Sequence, residues 1–100
     1  MTLVIVEKIY SEKEMDQDAM VSAFRLLDQL YYSGKWDAVN KILVDAPISK
    51  MSLAGMILLA RGTSRVRIKL PYWKTFVDNA FIEINSRGEN GEHVLRGLLD

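Results

Sequence analysis

The 100-residue sequence has no cysteine and a single histidine, His93, which excludes several kinds of metal and redox chemistry. Without thiolates the chain cannot form a disulfide, a cysteine-ligated zinc site or an iron–sulfur site, and it has no cysteine nucleophile. One imidazole also excludes a histidine-rich metal site within one chain. We therefore expect no cofactor, and we expect the hydrophobic core alone to hold the fold together.

The sequence also lacks a net charge and any long apolar run. Thirteen Lys and Arg balance thirteen Asp and Glu, and 49% of the residues are hydrophobic. This composition is typical of a globular domain and excludes intrinsic disorder and a polybasic nucleic-acid carrier. The run from Met51 to Ala60 is far shorter than the roughly 20 residues that a membrane span needs. Because the start shows no secretory signal, we predict one cytoplasmic domain over residues 1–100, with no membrane partner.

Apolar residues recur at helical spacing, and turn residues divide them into five predicted helices. These helices, A to E, are predicted over residues 12–33, 35–45, 47–61, 71–87 and 90–99. Ser11 and Glu14 form a capping box before helix A, and Gly34 is suited to end it. Pro47 and Pro71 suit the first turns of helices C and D. The predicted fold class is a compact all-α bundle of about five helices, residues 12–99, built on the antiparallel A–B hairpin.

Helix C and two flanking segments leave alternatives open. Helix C is apolar around nearly its whole circumference, which is typical of a central helix or of one half-buried in an oligomer interface. Residues 2–10 are β-branched and aromatic, which favours a short strand or an extended arm, although Leu3, Val6 and Tyr10 would also share one helix face. Residues 62–70 alternate apolar and basic side chains, which predicts a loop or a short strand. A strand of this kind exposes unpaired edges unless it docks, as it could in a symmetric dimer.

The A–B hairpin resembles one tetratricopeptide-type helical hairpin over about residues 22–46. The positions for a large apolar residue, a second one beside it, a small turn residue and an aromatic are filled by Leu26, Leu30, Gly34 and Trp36. Ala46 also falls near an expected small position, whereas Leu27 and Val39 stand where that pattern has small residues. A solenoid needs about three such repeats, and no convincing second copy follows. The resemblance therefore implies one helical hairpin.

A basic segment follows helix C. Five cations occur between residues 61 and 74 with no acid among them: Arg61, Arg65, Arg67, Lys69 and Lys74. Hydroxyl and aromatic side chains interleave them, a mixture that suits phosphate binding. On one strand face, Arg65, Arg67 and Lys69 would repeat about every 6–7 Å, close to the spacing of phosphates on a single strand. Alternatively, Arg61 complements the dipole of helix C, and the rest is a solvated face or pairs with the acidic start of helix A, in the same chain or a neighbour.

No spacing of reactive side chains indicates an enzyme. His93 has no recognisable nucleophile beside it, and the segment from Gly62 to Ser64 is not a phosphate-binding loop. We therefore expect a small non-catalytic protein-interaction or structural module that self-associates through apolar helix faces, on helix C and the N-terminal arm. The partner would be a second copy or another protein. The alternative is a nucleic-acid-binding accessory protein that uses the basic segment.

The predicted burial of the apolar stripe of helix D can be tested by substitution. Replacing Trp73 or Phe76 by alanine should lower the free energy of unfolding by roughly 3–5 kcal/mol, because a large aromatic side chain leaves a cavity in the core. Urea denaturation of each variant measures this loss. A loss below about 1 kcal/mol would mean that helix D does not bury this face.

Overall fold

The structure is a computed structural model that describes residues 2–88, with side chains from residue 4 onward, and it confirms the all-α fold class. In this part of the chain the α-helices are α1 (Thr2–Ile9), α2 (Gln17–Tyr32), α3 (Trp36–Val44), α4 (Leu53–Thr63) and α5 (Trp73–Arg87). Two 3₁₀ helices, η1 (Ile48–Lys50) and η2 (Ser64–Lys69), flank α4. Predicted helices A to D correspond to α2 to α5. Predicted helix E and His93 lie outside the described residues.

The N-terminal segment is a helix, so the prediction of a strand or an extended arm over residues 2–10 is wrong. Ile9 is fully buried, and Ile5 and Val6 pack against the same core. These positions follow a helical spacing, which shows that core packing outweighs the β propensity of the side chains. Because the helix satisfies its own backbone hydrogen bonds, the segment offers no unpaired strand edge.

The start of α2 also differs from the prediction. α2 begins at Gln17 and not at residue 12, because Asp16 is its cap: the carboxylate accepts a hydrogen bond of 2.7 Å from the N–H of Ala19. The predicted capping box at Ser11 is therefore not formed. The hydroxyl oxygen of Ser11 instead accepts from the N–H of Lys13 at 3.1 Å, within the turn that joins α1 to α2.

Predicted helix C is divided in two. Pro47 precedes the short turn η1, and α4 begins separately at Leu53. Ser52 caps α4, since its hydroxyl oxygen accepts a hydrogen bond of 3.0 Å from the N–H of Gly55. Before α5, the backbone N–H of Tyr72 donates to the Asn40 side chain at 3.0 Å, which ties the start of α5 to α3.

The predicted hairpin is formed by α2 and α3. Gly34 has a φ of +70°, in the left-handed region where a residue without Cβ is favoured. The N–H groups of Gly34 and Lys35 donate to the carbonyls of Tyr31 and Leu30, both at 3.0 Å, which is the Schellman pattern of a helix end. Trp36 then stacks on Tyr31 with ring centroids 6.0 Å apart. The turn and the ring contact together set the return of the chain.

α4 lies at the centre of the bundle and packs against α1, α2, α5 and η2. Its side chains from Leu58 to Ala60, and Met56 before them, are almost completely buried. The side chains that complete the core come from every other α-helix: Ile9, Ala23, Leu27, Tyr31, Val39, Ile42, Leu43, Trp73, Phe76, Val77, Ala80 and Ile84. The apolar circumference of α4 is therefore covered largely within one chain.

α2 and α4 run in the same direction. At the start of α4, the N–H of Ser52 donates to the carbonyl of Ser11, in the turn that leads into α2, at 2.8 Å. At their C-terminal ends, the Tyr31 hydroxyl donates to the carbonyl of Gly62. The α1–α2 turn and η2 consequently lie at opposite ends of the bundle.

Because α1 lies close to α4, we predict that any side chain at position 55 lowers the stability of the fold. A Cβ there would overlap the backbone carbonyl oxygen of Ile9, so the two helices would have to separate. Gly55→Ala should lower the free energy of unfolding by about 1–3 kcal/mol despite the better helix propensity of alanine. Gly62→Ala is the matched comparison: its Cβ would lie 2.9 Å from the Leu27 Cδ1, a side-chain end that can move, so the loss should be smaller. Urea denaturation that ranked the variants in the opposite order would contradict this packing.

Candidate functional site

The basic segment, residues 61–74, is a 3₁₀ turn with its flanking helix ends, and the predicted loop or strand over 62–70 is wrong. Side chains three residues apart align in a 3₁₀ helix, so Arg65, Arg67 and Lys69 cannot form one row. Val66 interrupts the turn with non-helical angles, φ −113° and ψ 17°. The match to the spacing of phosphates, which depended on a strand, does not hold.

The cations of the basic segment have different environments. Arg61 is exposed in the last turn of α4, where a cation complements the helix dipole. The Arg65 guanidinium lies 3.6 Å from the carboxylate of Asp28 on α2. Lys74 lies 3.3 Å from Asp78, one helical turn further along α5. Both ion pairs are well exposed, so each contributes little to stability.

Arg67 is held by the chain itself. Its Nη1 donates to the carbonyl of Ser64 at 2.7 Å, and its guanidinium carbon lies 5.8 Å from the centroid of the Trp73 ring. Trp73 is only 4% exposed, and its indole N–H donates to the carbonyl of Ala60 at 3.3 Å. Arg67 and the surrounding core thus cover an aromatic ring that a nucleic-acid base would need for stacking.

Ile68 is the functional candidate that sequence reasoning missed. Its side chain is 91% exposed, between Arg67 and Lys69, whereas Leu70 is buried and Val66 is half-buried. The alternating sequence pattern predicts that these three apolar side chains share one face of a strand. An apolar residue between two cations was the available signal, but its exposure depends on the 3₁₀ geometry.

The outer face of α2 carries further exposed apolar groups beside this turn. Val21 and Phe24 are 43% and 42% exposed and lie on the helix stripe that continues to Asp28. A Cβ at Gly62 would lie 3.4 Å from the Phe24 ring, so this stripe borders the end of α4. The contact of Asp28 with Arg65 joins the stripe to η2. We define the α2–η2 surface as Val21, Phe24, Asp28 and Arg65, together with Ile68, which follows Arg65 by three residues in η2.

Among residues 2–88, no three Asp, Glu or His side chains lie close enough together to hold a metal ion. No helix in the same residues combines the length and the apolar character that crossing a bilayer requires. Comparison of the sequence with models of known protein families, with curated proteins and with solved structures found no significant match. The tetratricopeptide resemblance therefore rests on the α2–α3 hairpin alone.

Tyr10 and Tyr31 lead us to predict that the free energy of unfolding falls in strong alkali. Burial, together with the negative charge of Asp45, raises the pKa of Tyr10 from 10.0 to about 12. Burial and the charge of Asp28, offset in part by Arg65, raise the pKa of Tyr31 to the same value. The unfolded chain then loses these protons at lower pH than the folded chain, so the stabilisation is complete below pH 10 and falls as the pH rises towards 12.

Urea denaturation at a series of pH values measures this fall, and the double variant Tyr10→Phe/Tyr31→Phe should show a smaller one. Both phenols also donate hydrogen bonds, to the carbonyls of Ile42 and Gly62, so the double variant will be less stable at neutral pH. Tyr32→Phe is the control, because the Tyr32 side chain is 85% exposed. An unchanged pH slope in the double variant would show that other groups cause the fall.

Proposed function

We propose that the chain is a small non-catalytic protein-interaction module that self-associates, and that the α2–η2 surface is part of its interface. The single observation that carries the proposal is Ile68, an aliphatic side chain 91% exposed at a turn where cations flank it on both sides. Burying such a side chain in a partner would contribute about 1.5–3 kcal/mol, and the flanking charges would orient the contact. A cytoplasmic location stays a prediction.

We propose an interface on the α2–η2 surface rather than on predicted helix C, for the following reason. The apolar surface of α4 is used mainly by the chain's own helices, and its half-buried residues are Leu53, Ala54, Ile57 and Gly62. The N-terminal helix α1 likewise buries Ile9 in the core. α1 is a helix and therefore has no strand edge for a second chain to cover. α4 does not need a second chain either, because the chain's own helices cover most of it. The apolar groups that do reach solvent on the α2–η2 surface are the better candidates.

The nucleic-acid alternative has less support than the charge of the basic segment suggested. The row of cations is not formed, and Trp73 is buried beneath Arg67. One observation supports the nucleic-acid alternative. In the described part of the chain, neither Arg61 nor Lys69 has a carboxylate within 4.0 Å. Two exposed cations give a weak electrostatic attraction to any polyanion, without a recognisable base-binding feature.

The solution mass tests the proposal. Light scattering after size exclusion, over about a hundredfold range of concentration, should show a mass that rises with concentration, and the melting temperature should rise with it. Phe24→Ser should reduce the association, because it removes an exposed apolar side chain of the α2–η2 surface. Ile82→Ser is the matched control: Ile82 is 65% exposed on α5, outside the proposed interface. A monomer throughout the range would contradict self-association.

A parallel titration tests the alternative. Single-stranded oligonucleotides in low salt should give no saturable binding to the wild-type protein. If they do bind, the affinity should fall steeply with salt, and the Arg65→Ala/Arg67→Ala/Lys69→Ala variant should lose it. That outcome, combined with a monomeric mass, would replace the self-association proposal by the nucleic-acid one.

A further inference from the structure

We propose that residues 90–99, the predicted helix E, fold back along α5 and cover an apolar face that α4 and α5 share. We call this surface the α4–α5 face; it consists of Leu53, Ile57 and Phe81, and Arg61 lies at one end of it. The inference does not depend on self-association. It combines the direction of this face, the place where the chain leaves α5, and the apolar pattern of residues 90–99.

One stripe of α4 faces away from α1 and α2. Leu53, Ile57 and Arg61 form this stripe, because residues four apart share one side of a helix. Gly55 and Gly62 lie on the opposite side, where α1 and α2 approach too closely for a Cβ. Leu53 and Ile57 pack against the core and are only half-buried. α1 and α2 therefore leave this apolar stripe partly uncovered.

α5 runs antiparallel to α4. At the start of α5 the Trp73 indole N–H donates to the carbonyl of Ala60 at 3.3 Å. At its end the Arg87 Nη1 donates to the carbonyl of Met51 at 2.7 Å. The chain therefore leaves α5, at Gly88, beside the start of α4. From this point the stripe of α4 extends back in the direction of Trp73.

Phe81 lies on the side of α5 that borders this stripe. The Arg87 Nε donates to Glu83 at 2.7 Å and its Nη2 donates to the carbonyl of Ile48 at 3.0 Å, so η1 lies on the Glu83 side. At about 100° per residue, Phe81 lies on the opposite side of α5 from Glu83. Its half-buried ring packs against the core there, where α4 is the neighbouring helix. The outer side of α5 is mostly polar, with Ile82 exposed among the polar side chains.

The sequence of residues 90–99 suits this face. Its apolar residues occupy positions i, i+1, i+4 and i+5, which share one side of a helix: Val94, Leu95, Leu98 and Leu99. Gly88 has a φ of +70°, the same value as Gly34, where the chain reverses between α2 and α3. Only Glu89 separates Gly88 from residue 90. So short a connection favours an antiparallel neighbour of α5.

The length and the charge of the segment also match the face. At ~1.5 Å per residue, residues 90–99 span about 14 Å as a helix, and Leu53 and Arg61 lie about 12 Å apart. The end of helix E is then level with Arg61, which has no carboxylate within 4.0 Å in the described part of the chain. A cation there complements the negative end of a helix dipole, and Asp100 follows with a carboxylate.

Introduced thiols test the docking directly, because the sequence has no cysteine of its own. Ile57 lies about 6 Å beyond the start of α4, and Leu95 would lie about 8 Å beyond the start of helix E. The full chain with Ile57→Cys/Leu95→Cys should therefore form a disulfide within the monomer on mild oxidation. Non-reducing electrophoresis and mass spectrometry over a time course measure the rate.

The matched control is Ile82→Cys/Leu95→Cys. Ile82 lies about 8 Å before the end of α5, level with Leu95, but its side chain is 65% exposed on the outer side. The Ile57 pair should close at least about tenfold faster than the Ile82 pair, since a disulfide needs Cα atoms within about 7 Å. In concentrated urea this preference should disappear, because the fold that brings the pair together is lost.

Substitutions within residues 90–99 give a second measurement that leaves α4 and α5 intact. Leu95→Ser/Leu98→Ser removes two apolar groups from the docking side and should raise the unfolding equilibrium constant at least about tenfold. His93→Ser/Arg96→Ser changes the opposite side of helix E and should alter it by less than about threefold. Urea denaturation measures both constants.

The other outcomes overturn the inference. Equal rates for the two cysteine pairs, or faster closure of the Ile82 pair, would show that residues 90–99 do not cover the α4–α5 face. A disulfide found only in a dimer would show that the segment of a second copy covers it. If the Ile57→Cys/Leu95→Cys variant does not fold, a serine variant on the docking side that is no less stable than its control overturns the docking. None of these substitutions changes the α2–η2 surface, so the proposed function is tested separately by the mass of the wild type.

Discussion

The burial of α4 on all sides is the constraint from which the arrangement of the other helices follows. A helix without a polar face can exist in a small domain only where neighbours cover most of its circumference. α1, α2 and α5 do this, and their closeness depends on the absence of a side chain at Gly55, where α1 meets the helix. At its start the N–H of Ser52 donates to the carbonyl of Ser11, and near its end the Tyr31 hydroxyl donates to the carbonyl of Gly62, so its position along the bundle is fixed.

The position of α4 also determines what reaches the surface. The chain leaves the core at Thr63, which is fully buried, and must return at Leu70 to start α5. Six residues bridge this gap as a 3₁₀ turn that is kinked at Val66. So short a bridge cannot bury every apolar side chain that it carries. Leu70 is buried and Ile68 is left in solvent, which makes the exposed basic turn a consequence of the buried helix.

Sequence reasoning identified the features that local chemistry decides. Gly34 marked the turn of the hairpin, and the helical spacing of Trp73 and Phe76 marked the buried side of α5. It failed where tertiary packing decides: the β-branched segment before Ile9 is helical because it has a core to pack against. The basic residues of the candidate site were found from composition, but the exposure of Ile68 was not, since it depends on how α4 ends.

The size of the proposed contact sets how strong it can be. One aliphatic side chain such as Ile68, with exposed charges around it, buries much less than the roughly 1,200 Å² at which stable interfaces begin. Exposed ion pairs add little, and salt weakens them. A contact of this kind would therefore be weak and reversible, and the core of each copy stays complete without it. The chain would fold first and assemble afterwards, at a concentration that decides how many copies are joined.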